Sequence, residues 1–176
     1  MTTDTTMQLA KYYVDTIDNL PDRVSTVDED EMPFVYRSTV EQPIEWDQNS
    51  IESALSISIP PLLKAIWNLT SRFRIYEEVN FGQWGLISCS PAEIVEFNLR
   101  IKGLVPRFWV HGDLIVSEFR GDSHLLVLRA DSAKEDYGQV IISESIYPRE
   151  DWTTVAASLD DFLEKFLKST DKYYWT

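Results

Sequence analysis

Between Leu114 and Ile146 the chain reads as three successive strands. The runs Leu114–Phe119, His124–Ala130 and Gln139–Ile146 are separated by turn residues at Gly121-Asp122-Ser123 and Asp136-Tyr137-Gly138. A parallel crossover needs roughly a dozen residues or more, so connections this short predict antiparallel neighbours. Leu125, Leu126, Val127 and Leu128 are apolar on both faces of their run, which predicts a central strand.

Helical periods flank this block. Met7, Ala10, Tyr13, Val14, Ile17 and Leu20 recur at helical spacing, and Pro21 stops the run. Pro60 and Pro61 open a second helix, because proline is tolerated in a first turn where its missing N–H costs nothing. Its apolar face is Leu62, Leu63, Ile66, Trp67 and Leu69. Phe73–Tyr76 alternates as a strand does, and Asn80-Phe81-Gly82 predicts a turn before a second strand over Gln83–Ser88. Ser90-Pro91-Ala92-Glu93 is a capping-box pattern, and Ile94, Phe97, Asn98 and Ile101 continue that helix towards Gly103. Ser158 with Asp161 caps a last helix whose apolar face is Leu159, Phe162, Leu163, Phe166 and Leu167. Strands clustered between flanking helices predict a single α+β domain, with helices on a mainly antiparallel sheet. Residues 1–43 read as an N-terminal helix and an acidic linker with one possible strand at Phe34–Tyr36, and residues 44–176 as the α+β body.

Charge limits the partners. The chain holds 29 acidic and 16 basic residues, a formal net charge of −13. Such a surface repels phosphate backbones and anionic lipid and attracts a basic protein, so neither nucleic acid nor membrane is an expected partner. The single cysteine, Cys89, fits a reducing compartment. The opening residues carry neither a basic nor an apolar signal region, and no run is long enough to span a bilayer, so a cytoplasmic protein is expected.

Each candidate chemistry lacks a necessary part. Structural zinc wants four Cys or His ligands, and only Cys89, His111 and His124 exist. Asp28 and Asp30 match the first and third positions of a calcium loop, but Pro33 then falls where glycine turns the chain and Thr39 where a bidentate glutamate belongs. The run Asp28-Glu29-Asp30-Glu31 therefore reads as a solvated acidic loop. Gly121-Asp122-Ser123 is similar to the serine block of GDS-type esterases, but no histidine follows His124. In an extended strand His124 points away from Ser123, leaving His111 as the other base. Ordinary hairpin chemistry explains the string, and a Ser123-dependent hydrolase ranks below any binding function. No phosphate-binding glycine motif is present, and no cofactor is expected. Cys89 has no basic activator and reads as a buried, inert thiol.

Aromatics beside polar neighbours are candidate anchors for a partner, namely Trp46, Trp152 and Trp175 in the tail Tyr173-Tyr174-Trp175. The alternative is that the tail folds back to cap the edge of the core. If exposed, it could support a homodimer.

Several segments together resemble the SUKH superfamily, which includes bacterial immunity proteins and relatives of fungal regulators of cell-wall glucan synthesis. They are Ile59–Trp67 at a helix opening, Gly82–Pro91 across a strand and the next helix start, Gly112-Asp113 and Gly121-Asp122 at hairpins, Gly138-Gln139-Val140, and the closing helix from Val155 to Leu163. The resemblance spans roughly residues 44–175 and implies an α+β domain with a mixed, largely antiparallel sheet. It also implies a non-enzymatic role, in many members the neutralisation of a cognate toxin, often a nuclease. The expected function is a protein-binding module, with a basic toxin as one partner class and a toxin-free regulatory or scaffold role as the alternative. The residues expected to meet a partner are Asp28, Glu29, Asp30, Glu31, Trp46, Trp152 and Trp175, with no catalytic, cofactor or metal residue among them.

Overall fold

The computed structural model describes residues 3–25, 33–144 and 147–169. These form helices α1 (Thr3–Asp18), α2 (Gln48–Leu55), α3 (Pro61–Trp67), α4 (Ile94–Leu104) and α5 (Leu159–Lys168). The strands are β1 (Arg23–Ser25), β2 (Phe34–Val40), β3 (Phe73–Glu78), β4 (Gly85–Ser88), β5 (Asp113–Arg120), β6 (His124–Arg129), β7 (Val140–Glu144) and β8 (Thr153–Ala156). All lie in one sheet in chain order, and every described pairing is antiparallel. The α+β architecture with an antiparallel sheet is thus present, and no parallel pair occurs among the described residues.

Strand β6 has the two-sided burial that its composition predicts. Leu126 and Leu128 join the larger core, with Ala10, Tyr13 and Ile17 of α1, Leu63, Ile66 and Trp67 of α3, and Phe162 and Leu163 of α5. Leu125 and Val127 turn to the other face, where with Ile115 and Ile141 they pack under Phe97 and Ile101 of α4 and under Trp109 and Trp152. The alternation of strand side chains thus sorts one apolar run into two cores.

Helix α1 is fastened to α5 across the length of the chain. The Tyr13 hydroxyl donates to Asp160 Oδ1 at 2.5 Å and lies 3.1 Å from the Asp160 carbonyl. Burial, with the neighbouring Asp160 carboxylate, pushes the Tyr13 phenol above the ordinary tyrosine range. Ser158 caps α5 as its sequence predicts, its hydroxyl accepting from the Asp161 amide at 3.1 Å. At the other capping box, Glu93 accepts from the Ser90 amide at 3.0 Å and Ser90 Oγ accepts from the Ala92 amide at 3.3 Å, although the regular helix begins only at Ile94. Gly103 lies inside α4 rather than ending it.

Three elements have no clear sequence pattern. Strand β1 forms where the chain reads as irregular, pairing with β2, which itself runs on to Val40. Helix α2 starts at Asp47, whose carboxylate accepts from the Asn49 amide at 3.0 Å and the Ser50 hydroxyl at 2.6 Å. Strand β8 continues the sheet outside β7.

Helix α4 also completes the sheet. The β4 pairing reaches β5 only as far as Ser117, so the Ile115 peptide has no described strand partner on that side. Asn98 takes that place: its Nδ2 donates to the Ile115 carbonyl and its Oδ1 accepts from the Ile115 amide, both at 2.9 Å. No described helix is long and apolar enough to cross a membrane.

Candidate functional site

The most elaborate polar arrangement lies at the start of β5, on the α4 face of the sheet. Gly112 makes the turn that delivers it. Its φ is +84°, and a Cβ there would sit 2.6 Å from Asp131 Cβ, so a side chain is excluded by both conformation and space. The next residue, Asp113, is wholly buried. Its Oδ1 accepts from Arg129 Nη1 at 2.5 Å, and its Oδ2 accepts from Arg149 Nη1 at 2.8 Å and the Val110 amide at 2.9 Å.

Arg129 is the cross-strand partner of Asp113 and is nearly as buried. It also donates through Nε to Asp136 Oδ2 at 2.7 Å and through Nη1 to the His111 carbonyl at 3.1 Å. Burial works against its charge, but the carboxylates of Asp136 and Asp113 more than offset this and raise its pKa. The pair is charge-assisted and multiply bonded, the form in which burial of ions is tolerated.

Two indoles lie against this cluster. Trp109 and Trp152 meet edge to face with ring centroids 4.8 Å apart. The Arg149 guanidinium lies 4.5 Å from the Trp152 centroid, and Lys102 Nζ 5.9 Å from that of Trp109. Trp152 Nε1 donates to the Tyr147 carbonyl at 3.1 Å, while buried Trp109 Nε1 has no acceptor among the described residues. Lys102 donates to the Asp113 carbonyl oxygen. Burial depresses the Lys102 pKa, since the attraction of Asp113 only partly compensates and Arg129 adds repulsion.

Of the residues expected to meet a partner, Trp152 is in this cluster and Trp46 is not. Trp46 packs edge to face on Trp67 at 5.3 Å, with Nε1 donating to Asn68 Oδ1 at 3.1 Å, against the core on the opposite side of the sheet. The structure therefore separates the two tryptophans. Asp28, Glu29, Asp30, Glu31 and Trp175 lie outside the described residues. Lys102, Trp109, Asp113 and Arg149 were not among the expected residues. The sequence signals that bear on them are Gly112-Asp113 and an acid-free stretch from Phe97 to Gly112.

The other candidates occupy separate places. Ser123 sits in the β5–β6 turn with φ 56°, and His111 precedes the opposite end of β5. A strand of that length separates them by roughly 25 Å, far beyond hydrogen-bond reach. His124 lies in β6 with its Nε2 3.9 Å from Glu144. Cys89 is buried, and burial, chiefly, pushes its thiol well above the ordinary range. No group of three or more His, Cys, Asp or Glu among the described residues is placed to hold a metal ion.

Comparison with known proteins identifies a family. The profile of the SMI1 / KNR4 family (SUKH-1) matches residues 45–165, more than half of the chain and the stretch that contains Lys102, Asp113, Arg129, Arg149 and both indoles. No curated protein matches.

Proposed function

The chain belongs to the SMI1 / KNR4 family (SUKH-1), and from that premise we propose that it is a non-enzymatic protein-binding module, its most specific form being the neutralisation of a basic, nuclease-type toxin. The observation that carries this reading is how the −13 charge is deployed. Most cations are consumed locally: Arg37 by Asp22, Arg72 by Glu93, Arg74 by Glu41 and Glu77, and Lys165 by Asp161. The carboxylates in excess of these pairs give the exterior its sign. A nuclease needs a basic surface to bind phosphate backbones, and an acidic exterior steers such a surface into encounter.

Affinity capture from the native host, with low-salt and high-salt washes compared, tests the reading. A basic partner retained at low salt and released at high salt is the expected result. Capture of no partner, or of one whose retention ignores salt, would overturn the toxin form. A gene-deletion strain that becomes toxin-sensitive and shows no other defect would exclude the regulatory alternative.

A further inference from the structure

Three cations with no described ion pair share one stretch of the chain. Arg100, Lys102 and Arg107 have no carboxylate within ion-pair distance among the described residues. All three fall in the acid-free stretch from Phe97 to Gly112. In a chain of net charge −13, this stretch has the opposite sign.

The same stretch ends on the indole pair. Val110 and Tyr147, beside Trp109 and Trp152, are both close to half exposed, and Leu104 is 73% exposed. The donors here exceed the acceptors. Arg149 spends one described bond on Asp113 and Lys102 spends one on a carbonyl, while Trp109 Nε1 spends none. A guanidinium carries five N–H donors and an ammonium three, so capacity remains on both. Asp113 can absorb little of it, since its two oxygens already take three bonds of about four. Glu150 and Asp151, exposed in the turn before Trp152, pair with neither cation. Tryptophan, tyrosine and arginine side by side at a surface are the residues on which interface energy concentrates.

We infer that the Trp109–Trp152 pair and its cations form a docking surface for an acidic segment of a partner protein, with a carboxylate received by Lys102 and Arg149 and a neighbouring apolar side chain laid on the indoles. The occupant follows from charge and shape. The unpaired donors call for an anion, and the exposed apolar rim calls for a side chain beside it, which a free phosphate does not have. The inference rests on the binding-module reading and adds a second surface, opposite in sign to the rest of the exterior.

The test is selection of a displayed random-peptide library on the full-length chain, in parallel on Trp152→Ala and on the double variant Arg100→Glu with Arg107→Glu. The double variant alters only exposed side chains, so it tests the charge even where Trp152→Ala fails to fold. The expected result is enrichment of peptides with Asp or Glu beside an aromatic or leucine. Their affinity should fall roughly tenfold in the double variant and be lost in Trp152→Ala. No enrichment, enrichment of neutral or basic peptides, undiminished affinity in the double variant, or inorganic phosphate binding as tightly as the peptides would each overturn it. A native partner that binds the variants as tightly as the natural chain would overturn this surface and leave the binding-module reading intact. Acidic peptides selected by a chain that captures no native partner would do the reverse.

Discussion

Asn98 and Ile115 exchange two hydrogen bonds of 2.9 Å, the side-chain amide of a helix standing in for the peptide of a missing strand. Asn98 is wholly buried and also donates to the Ile94 carbonyl, so α4 and β5 are held in fixed register. That register sets how Lys102, one turn further along α4, approaches Asp113.

Replacing Asn98 by alanine leaves a buried peptide N–H and C=O of β5 without partners, each costing about 1–3 kcal/mol. The expected loss is about 3 kcal/mol, seen as a lower urea midpoint with an unchanged slope. Asn98→Ala with an unaltered midpoint would show that the amide contributes nothing to holding α4.

Asp113→Leu leaves Arg149 without its described carboxylate and the buried Arg129 with Asp136 alone, and is expected to cost about 3–5 kcal/mol. Adding Arg129→Met removes the buried charge that has lost one of its two carboxylates, so the double variant should be more stable than Asp113→Leu alone. Denaturant titration of the two singles and the double closes the cycle.

Tyr13 gives a pH dependence whose sign is fixed by its raised pKa. The folded state holds the phenolic proton more tightly than the unfolded chain, so this stability is fully present below the ordinary tyrosine value near 10 and is lost as pH rises above it. Wild type minus Tyr13→Phe, measured by unfolding across that range, should shrink as pH increases. A flat difference would refute the linkage.

Ser158→Ala removes the cap of α5 and is expected to cost about 1 kcal/mol, with Ser158→Asp restoring most of it. Thermal unfolding of both variants checks the order.

Gly112→Ala forces a side chain into a left-handed backbone and against Asp131, at an expected cost of about 1–3 kcal/mol for the conformation alone. Because Gly112 aims Asp113, the same variant should change the fluorescence of Trp109 and Trp152 before global unfolding. An unchanged emission would mean that the indoles do not depend on this turn.

What could be read in the sequence follows from how local each signal is. The β5–β7 meander and the α5 cap announce themselves within a few residues, through Gly121-Asp122, Leu125–Leu128 and Ser158 with Asp161. Arg23–Ser25 and Thr153–Ala156 carry no readable alternation over three or four residues, and they become strands only because β2 and β7 offer an edge. Asn98 reads as one more polar residue on a helix, since its strand-like role depends on where β4 ends. Trp152 stands out beside charged neighbours, but its partner Trp109 is a tertiary neighbour that spacing cannot reveal. Trp46 stands out in the same way and packs on the other face.

The chain-order sheet also bears on how the molecule assembles. Each strand of the β1–β8 series pairs with the strand just before it, through a turn or short loop except at β2–β3, which spans α2 and α3, and β4–β5, which spans α4, so most of the entropy of loop closure is met in small instalments. The Tyr13–Asp160 contact has no such local route, because its two ends are separated by nearly the whole chain. Docking of α5 against α1 therefore belongs late on the folding path, and substitutions at Tyr13 should speed unfolding far more than they slow folding.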